Sequence, residues 1–269
     1  MLSLIDADNA MGSPFGDVDD GFAVAAMLLS GLPVAGVASV RGNTSESRAD
    51  RNNRRIGKLC HYSGPFLRGS AGLNRPGEAS RFLTGQGPPL RFIAFGPLTN
   101  LAAAILSDPA GTSQRVVEVV IVGSNASSAG RWPPFWPHEF NLTKDLRATR
   151  IVFESQLPLT FAPLDLLGKM TVSREDLDQL QGDLGAYLRE QSRRWLLRAR
   201  LLKVSATFPV WDLVAAMYAI GEPSIQTRQC SATIHRNGWI DFRQGTREVK
   251  LIRDFDRHAL WSRFVELIH

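Results

Sequence analysis

The sequence predicts an α/β fold: an open, mainly parallel sheet flanked by helices, with a small antiparallel ribbon near the C-terminus. Three observations point there. Short β-rich runs alternate with helical stretches along most of the chain, and strands joined by helical crossovers run parallel beneath the helices that cover them. Residues 229–252 break that rhythm, with Asn237-Gly238 between two alternating runs, which is a hairpin signal. Finally, 44% of the 269 residues are apolar, and no composition shift or low-complexity linker divides them. A single domain spanning residues 1–269 is therefore expected.

The elements follow in order. LSLIDA (2–7) reads as a strand and GFAVAAMLLS (21–30) as a helix. VAGVASV (34–40) pairs in the same way with SRADRNNRRIGKLCHYS (47–63), and RFIAF (91–95) with LAAAILS (101–107). VVEVVIVG (116–123) leads into a long Gly/Pro/aromatic loop and then the helix LRATRIVFES (146–155). LPLTFAP (157–163) is the next strand, followed by SREDLDQL (173–180), in which Ser173 and Asp176 have the spacing of an N-terminal capping pair. The ribbon and a terminal helix, RHALWSRFVELI (257–268), complete the pattern.

Charge and cysteine usage narrow the function classes. The net charge is +5 and the calculated pI about 9.6, yet the basic residues are dispersed, so no nucleic-acid partner is expected. Their densest cluster, 189–203, interleaves Arg189, Arg193, Arg194, Arg198 and Lys203 with Trp195, Leu196, Leu197, Leu201 and Leu202. That is an amphipathic helix with a solvated face. No apolar run approaches the roughly 20 residues of a membrane span, and a strand beginning at about Leu2 leaves no room for a signal peptide. A soluble, cytoplasmic protein is expected. Cys60 and Cys230 are far apart, which argues against a disulfide framework and for two reduced, buried small hydrophobes.

The chemistry is concentrated near the N-terminus. Between two apolar runs stand Asp6, Asp8, Asp17, Asp19 and Asp20. Ligands of open α/β sheets bind outside the carboxyl ends of the strands, where Asp6 and Asp8, two apart at a strand end, share a face. Asp19 and Asp20 open the following helix, a position that favours carboxylates and lets one of them cap free N–H groups. Several oxygen donors converging on one crevice favour Ca²⁺ or Mg²⁺ over Zn²⁺. An EF-hand is excluded, because aligning Asp6, Asp8 and Asp17 with its loop puts Ala10 at a ligand position and Met11 where glycine is required.

The run DADNAMGSPFGDVDDGFAVAAML (6–28) resembles the N-terminal signature of the nucleoside hydrolases, calcium-dependent N-ribosyl hydrolases, whose usual form is D-x-D-P-G-x-D-D before an apolar helix. Here the loop between the acidic pairs is longer by several residues, with Asn9 in place of the proline. Four further segments are similar to the family. FIAFGPLTNLAAAI (92–105) resembles G-P-L-T-N-L-A, which implies that the Thr99 main-chain carbonyl is a metal ligand. HEFNLTKDLRAT (138–149) resembles E-F-N-I-x-x-D-P-E-A and implies that Glu139 and Asn141 bind ribose hydroxyls. An asparagine that often lies six residues before this Glu is replaced by Pro133, with Asn125 as a possible substitute. SVRGN (39–43) nominates Asn43 as a substrate contact. PVWDLVAAMYAI (209–220) gives Asp212 as a metal ligand, preceded by Trp211 where many members carry a histidine acid. A subset of purine-preferring relatives has tryptophan there and stacks it on the base.

The resemblance implies hydrolysis of the N-glycosidic bond of a purine ribonucleoside to base and ribose. Asp8 would be general base to a Ca²⁺-held water and also a metal ligand. Asp20, Asp212 and Thr99 would complete the Ca²⁺ site, Asp19 would touch the sugar, and Asp6 would support the site from behind. Asp17 receives no role. Trp211 would stack on the base, with Trp132, Phe135 and Trp136 of the aromatic loop as further partners. His138 is the nearby group whose ordinary pKa suits proton donation near neutrality. A homodimer or homotetramer is implied as well. Two rival readings stand beside this one: a non-catalytic nucleoside- or ribose-binding homologue, and an aspartyl-phosphate phosphatase with Asp6 as nucleophile and Asp8 as acid/base.

Overall fold

The computed structural model describes residues 1–13, 16–127, 139–201 and 207–269. The chain begins with β1 (Leu2–Ala7), α1 (Asp19–Leu29), β2 (Val34–Ser39), α2 (Glu46–Leu59), β3 (Phe66–Leu67) and α3 (Glu78–Thr84). There follow β4 (Leu90–Ala94), α4 (Thr99–Ser107), α5 (Pro109–Arg115), β5 (Val116–Val122), α6 (Phe140–Lys144), α7 (Leu146–Glu154), β6 (Leu159–Ala162) and α8 (Leu164–Leu167). The last third holds β7 (Thr171–Val172), α9 (Arg174–Asp178), α10 (Gly182–Leu201), β8 (Phe208–Pro209) and α11 (Trp211–Ile220). It ends with β9 (Gln226–Ile234), β10 (Ile240–Asp241), β11 (Arg247–Asp254) and α12 (Arg257–Ile268).

One nine-stranded sheet runs in the order β10-β9-β11-β6-β5-β4-β1-β2-β3. Every pairing from β11 to β3 is parallel, and β9 is antiparallel to both β10 and β11. The expected ribbon is therefore present, but it is continuous with the main sheet and its long pairing joins β9 to β11. The strand after Asn237-Gly238 stops at Asp241, whose carboxylate accepts from the Arg243 main-chain N–H (3.0 Å) and guanidinium (2.9 Å), turning the chain away. A separate antiparallel pair joins β7 to β8.

Alternation along the strands builds two cores. Leu4, Phe92 and Val119 pack on one face with α4 and α7, while their neighbours Ile5, Ile93 and Val120 pack on the other with α1, α11 and α12. The two-residue period of a strand sends successive side chains to opposite faces, so both sides of the parallel sheet are covered. Ser173 and Asp176 form the reciprocal capping box at α9. In α10, Leu196 is buried, Trp195 packs on Phe208, and Arg193 pairs with Asp178 at 2.8 Å; the end of that basic run, from Leu202 to Lys203, lies outside the described residues. Cys60 is buried and free, whereas Cys230, on β9 near the sheet edge, is half-buried, contrary to the expectation that both are buried. Among the described residues no helix is long and apolar enough to cross a membrane.

The strand order positions the site. From the neighbouring strands β1 and β4 the chain winds outward in opposite directions, to β2 and β3 on one side and to β5 and β6 on the other. Connections leaving in opposite directions open a crevice at the carboxyl ends of that strand pair, and open α/β sheets bind ligands there.

Candidate functional site

Asp8 follows the last residue of β1 and is fully buried at this switch point. Its Oδ2 accepts the main-chain N–H of Asn43 (2.6 Å), while Oδ1 is buried without a partner. Two glycines wall it in. A Cβ at Gly42, in the loop after β2, would overlap Oδ2, and one at Gly96, after β4, would lie 2.9 Å from Oδ1. Gly42→Ala is therefore expected to displace the Asp8 carboxylate at a cost of about 1–3 kcal/mol, read from the urea midpoint, together with a fall in any catalytic rate. Wild-type stability and rate in this variant would contradict the packing described. Behind Asp8, Asp6 accepts from Asn100 Nδ2 (2.8 Å), and Asn100 also donates to the Ser39 carbonyl (3.0 Å). Asp6 is fully buried, as Asp8 is.

Helices α1 and α11 pack along one another, and their first turns bring Asp19, Asp20 and Asp212 to the same edge. Neither helix has a side-chain cap, so the expected capping by Asp19 or Asp20 is not made. Both oxygens of Asp20 and one of Asp19 are buried without partners. Asp17, given no role by the sequence, joins them: carboxylate oxygens of Asp17, Asp19 and Asp20 lie within 4.8 Å of one another. Among the described residues none of these carboxylates, nor Asp8 or Asp212, takes part in an ion pair.

The electrostatic consequence is severe. Burial, reinforced by the charge of Asp17, pushes the Asp8 carboxyl up to about 8. Burial pushes Asp6 up to about 7 and Asp17 up to about 6. Asp20 is raised by burial and then by Asp8 and Asp212, and Asp212 by burial and then by Asp19 and Asp8. The cluster thus repels itself as folded, and each carboxylate left ionised needs positive charge. The donors are all oxygen, several are buried without partners, and among the described residues no cationic side chain pairs with them, a set that fits a hard divalent cation.

The other expected residues that the structure describes have different commitments. Glu139 is the N-cap of α6, its carboxylate accepting from the main-chain N–H groups of Asn141 (2.7 Å) and Leu142 (2.6 Å), and burial pushes it up to about 8. A Cβ on Gly123, just after β5, would lie 3.0 Å from Glu139 Oε1, so this carboxyl sits at the sheet's carboxyl edge. Asn141 spends its amide N–H groups on the carbonyls of Phe95 (2.8 Å) and Val122 (3.3 Å), tying the ends of β4 and β5 together and leaving Oδ1 as an acceptor. Asn43 is exposed and reaches Asp8 through its main chain. Trp211 packs against the core at the start of α11, next to Asp212, with a buried Nε1–H that has no partner. Asn125, after β5, also has a buried, unpartnered Oδ1. Thr99 stands where β4 gives way to α4. It is the first residue of α4 and its hydroxyl donates to Asp145 Oδ2 (2.7 Å). His138, Trp132, Pro133, Phe135 and Trp136 lie outside the described residues.

The family model for inosine-uridine preferring nucleoside hydrolases matches residues 4–262. The chain belongs to that family. It is 30% identical over 154 residues to the pyrimidine-specific ribonucleoside hydrolase RihA of Photobacterium profundum, covering 56% of this chain and 47% of that protein. To RihA of Escherichia coli O139:H28 it is 27% identical over 197 residues, covering 61% and 62%. The matches thus span from about half to under two thirds of these curated relatives. Among solved structures, a plant nucleoside hydrolase, PpNRh1, superposes with a TM-score of 0.81 at 19% identity, covering 99% of this chain and 98% of the other. A purine-preferring ribonucleoside hydrolase from Gardnerella vaginalis gives 0.81 at 17%, covering 100% and 99%. At such identities these two show the nucleoside hydrolase fold.

Within the nucleoside hydrolase fold, the contributions least visible in sequence were Asp17, Asn100 and the pair Gly42 and Gly96. The glycines stood inside segments that matched the family, in SVRGN and FGPLTN. Asn100 stood in the same FGPLTN segment, but its task is set by Asp6, 94 residues away.

Proposed function

We propose that this chain, as one domain spanning residues 1–269, hydrolyses the N-glycosidic bond of ribonucleosides to free base and ribose, with purine nucleosides preferred. The observation that carries the reading is the buried, unpaired carboxylate cluster at the sheet's switch point, with Glu139 and Asn141 at the ends of β4 and β5. Asp8, Asp20 and Asp212, with the Thr99 main-chain carbonyl, would hold a divalent cation, taken to be Ca²⁺. When bound, that cation supplies the positive charge that keeps the carboxylates ionised and lowers the pKa of water beside it.

The chain's own groups divide the remaining work. Cleavage passes through an oxocarbenium-like sugar and needs a water at the anomeric carbon with a base to take its proton. Asp8 Oδ1, buried and unpartnered while Oδ2 is held by Asn43, is the oxygen suited to that role. Glu139 and Asn141 Oδ1 would accept from ribose hydroxyls, Asp19 would take another, and Asn43 would reach the substrate with its free side chain. The Trp211 indole would stack on the departing base, which favours the larger face of a purine, and His138 would be its proton donor.

Ribose release from inosine and uridine in the presence of Ca²⁺ tests this reading. We expect inosine to have the higher kcat/KM, and Trp211→Ala to lower it by about tenfold or more, the usual range for losing one base–aromatic stack. Preference for uridine, or an unaffected variant, would overturn the purine assignment. No ribose from either nucleoside, with binding retained, would overturn hydrolysis and favour a nucleoside-binding homologue.

A further inference from the structure

Residues 9–18 separate the two acidic pairs, and the described part of this segment is pinned. Asn9 Oδ1 accepts the Met11 main-chain N–H (3.0 Å), Asn9 Nδ2 donates to Asn53 Oδ1 (3.0 Å), and Asn52 Nδ2 donates to the Asn9 carbonyl (2.7 Å). These bonds tie the segment to α2. Met11 is buried in the core that α1 packs against. The Ser13 N–H donates to the Ala10 carbonyl (2.8 Å) and the Gly16 N–H to the Ser13 carbonyl (3.2 Å), so the chain has turned back on itself just before Asp17.

That reversal delivers Asp17 to the carboxylate cluster, within 4.8 Å of the oxygens of Asp19 and Asp20. Three oxygens on two neighbouring residues point independently to a missing ligand: Asp8 Oδ1 and both oxygens of Asp20 are buried and unpartnered, on residues 0% and 1% exposed. One Asp17 oxygen is likewise buried without a partner, although the residue as a whole is half-buried where Asp8, Asp19, Asp20 and Asp212 are buried. Asp17 therefore stands on the solvent side of the group.

We propose that Asp17 is an additional carboxylate ligand of the cation site, closing it on the side open to solvent. The inference rests on the cation-site reading above. A further anionic oxygen takes a coordination position that water would otherwise fill and adds negative charge. Both tighten binding and favour a cation that accepts many oxygen ligands, Ca²⁺ over the strictly octahedral Mg²⁺.

The test uses the full chain, wild type and Asp17→Asn, with three readouts. Calorimetric titration with Ca²⁺ should show affinity lowered at least about tenfold in the variant. Tb³⁺ luminescence lifetimes in H₂O and D₂O should count about one more coordinated water. In excess chelator the variant should melt higher than wild type, because one repelling charge is gone. An unchanged water count with Ca²⁺ affinity within about threefold of wild type, or a lower melting temperature in chelator with an unchanged water count, would assign Asp17 a purely structural role and overturn the proposal. Wild type that binds neither Ca²⁺ nor Tb³⁺ would defeat the cation-site reading itself and this inference with it, an outcome distinct from a variant that merely matches wild type.

Discussion

Asp8→Asn is expected to lower kcat for nucleoside hydrolysis by about 10²–10⁴ at saturating Ca²⁺, the usual worth of a general base. The substitution is nearly isosteric, which makes the reading clean. The asparagine carbonyl can still accept the Asn43 N–H that Oδ2 accepts at 2.6 Å, and no heavy atom is added against Gly42 or Gly96. What disappears is the negative charge and the proton-accepting Oδ1. Raising Ca²⁺ until the rate no longer responds separates weakened cation binding from loss of the base. A kcat within about tenfold of wild type under that condition would remove Asp8 from the chemistry. Asp6→Asn should lower kcat less, since Asp6 stands behind Asp8 and is held by Asn100.

The alternation that built the sheet was legible because it is local. Leu4 and Ile5, or Phe92 and Ile93, declare two buried faces by adjacency alone. The aspartates at the end of β1 and at the starts of α1 and α11 were equally plain, because strand ends and helix starts place them whatever the rest of the chain does. Asp17 was not legible. Its position depends on Asn9 finding Asn53, 44 residues away, and on two successive turns. Asn141 was matched to a sugar contact, and the structure adds a second task, since its amide N–H groups hold the ends of β4 and β5 together. In the ribbon, Asn237-Gly238 marked the turn correctly, but the length of β10 was set by Asp241 and Arg243 beyond it.

Without a cation, the folded protein is expected to lose stability as pH rises. A carboxyl whose folded-state pKa exceeds its ordinary value of 3.8 holds a proton that the unfolded chain has released. Its contribution is full below about pH 4 and lost as pH climbs through the folded value. Asp17 near 6, Asp6 near 7 and Asp8 near 8 spread that loss across pH 4–8. Each pKa unit corresponds to about 1.4 kcal/mol, so the combined penalty is on the order of several kcal/mol, a large part of a typical domain's stability. A divalent cation binds the deprotonated carboxylates of the folded state alone, so the stabilisation it gives must grow over the same interval.

The melting temperature measured from pH 5 to pH 8, in excess chelator and in excess Ca²⁺, therefore reaches the centre of the account. In chelator it should fall as pH rises. Ca²⁺ at about 100 times its dissociation constant should add roughly 2.7 kcal/mol, or roughly 5–10 °C, near pH 8 and progressively less toward pH 5. A melting temperature that is flat or rising with pH in chelator, and unmoved by Ca²⁺ or Mg²⁺ at pH 8, would mean that the buried aspartates are not gathered around a cation.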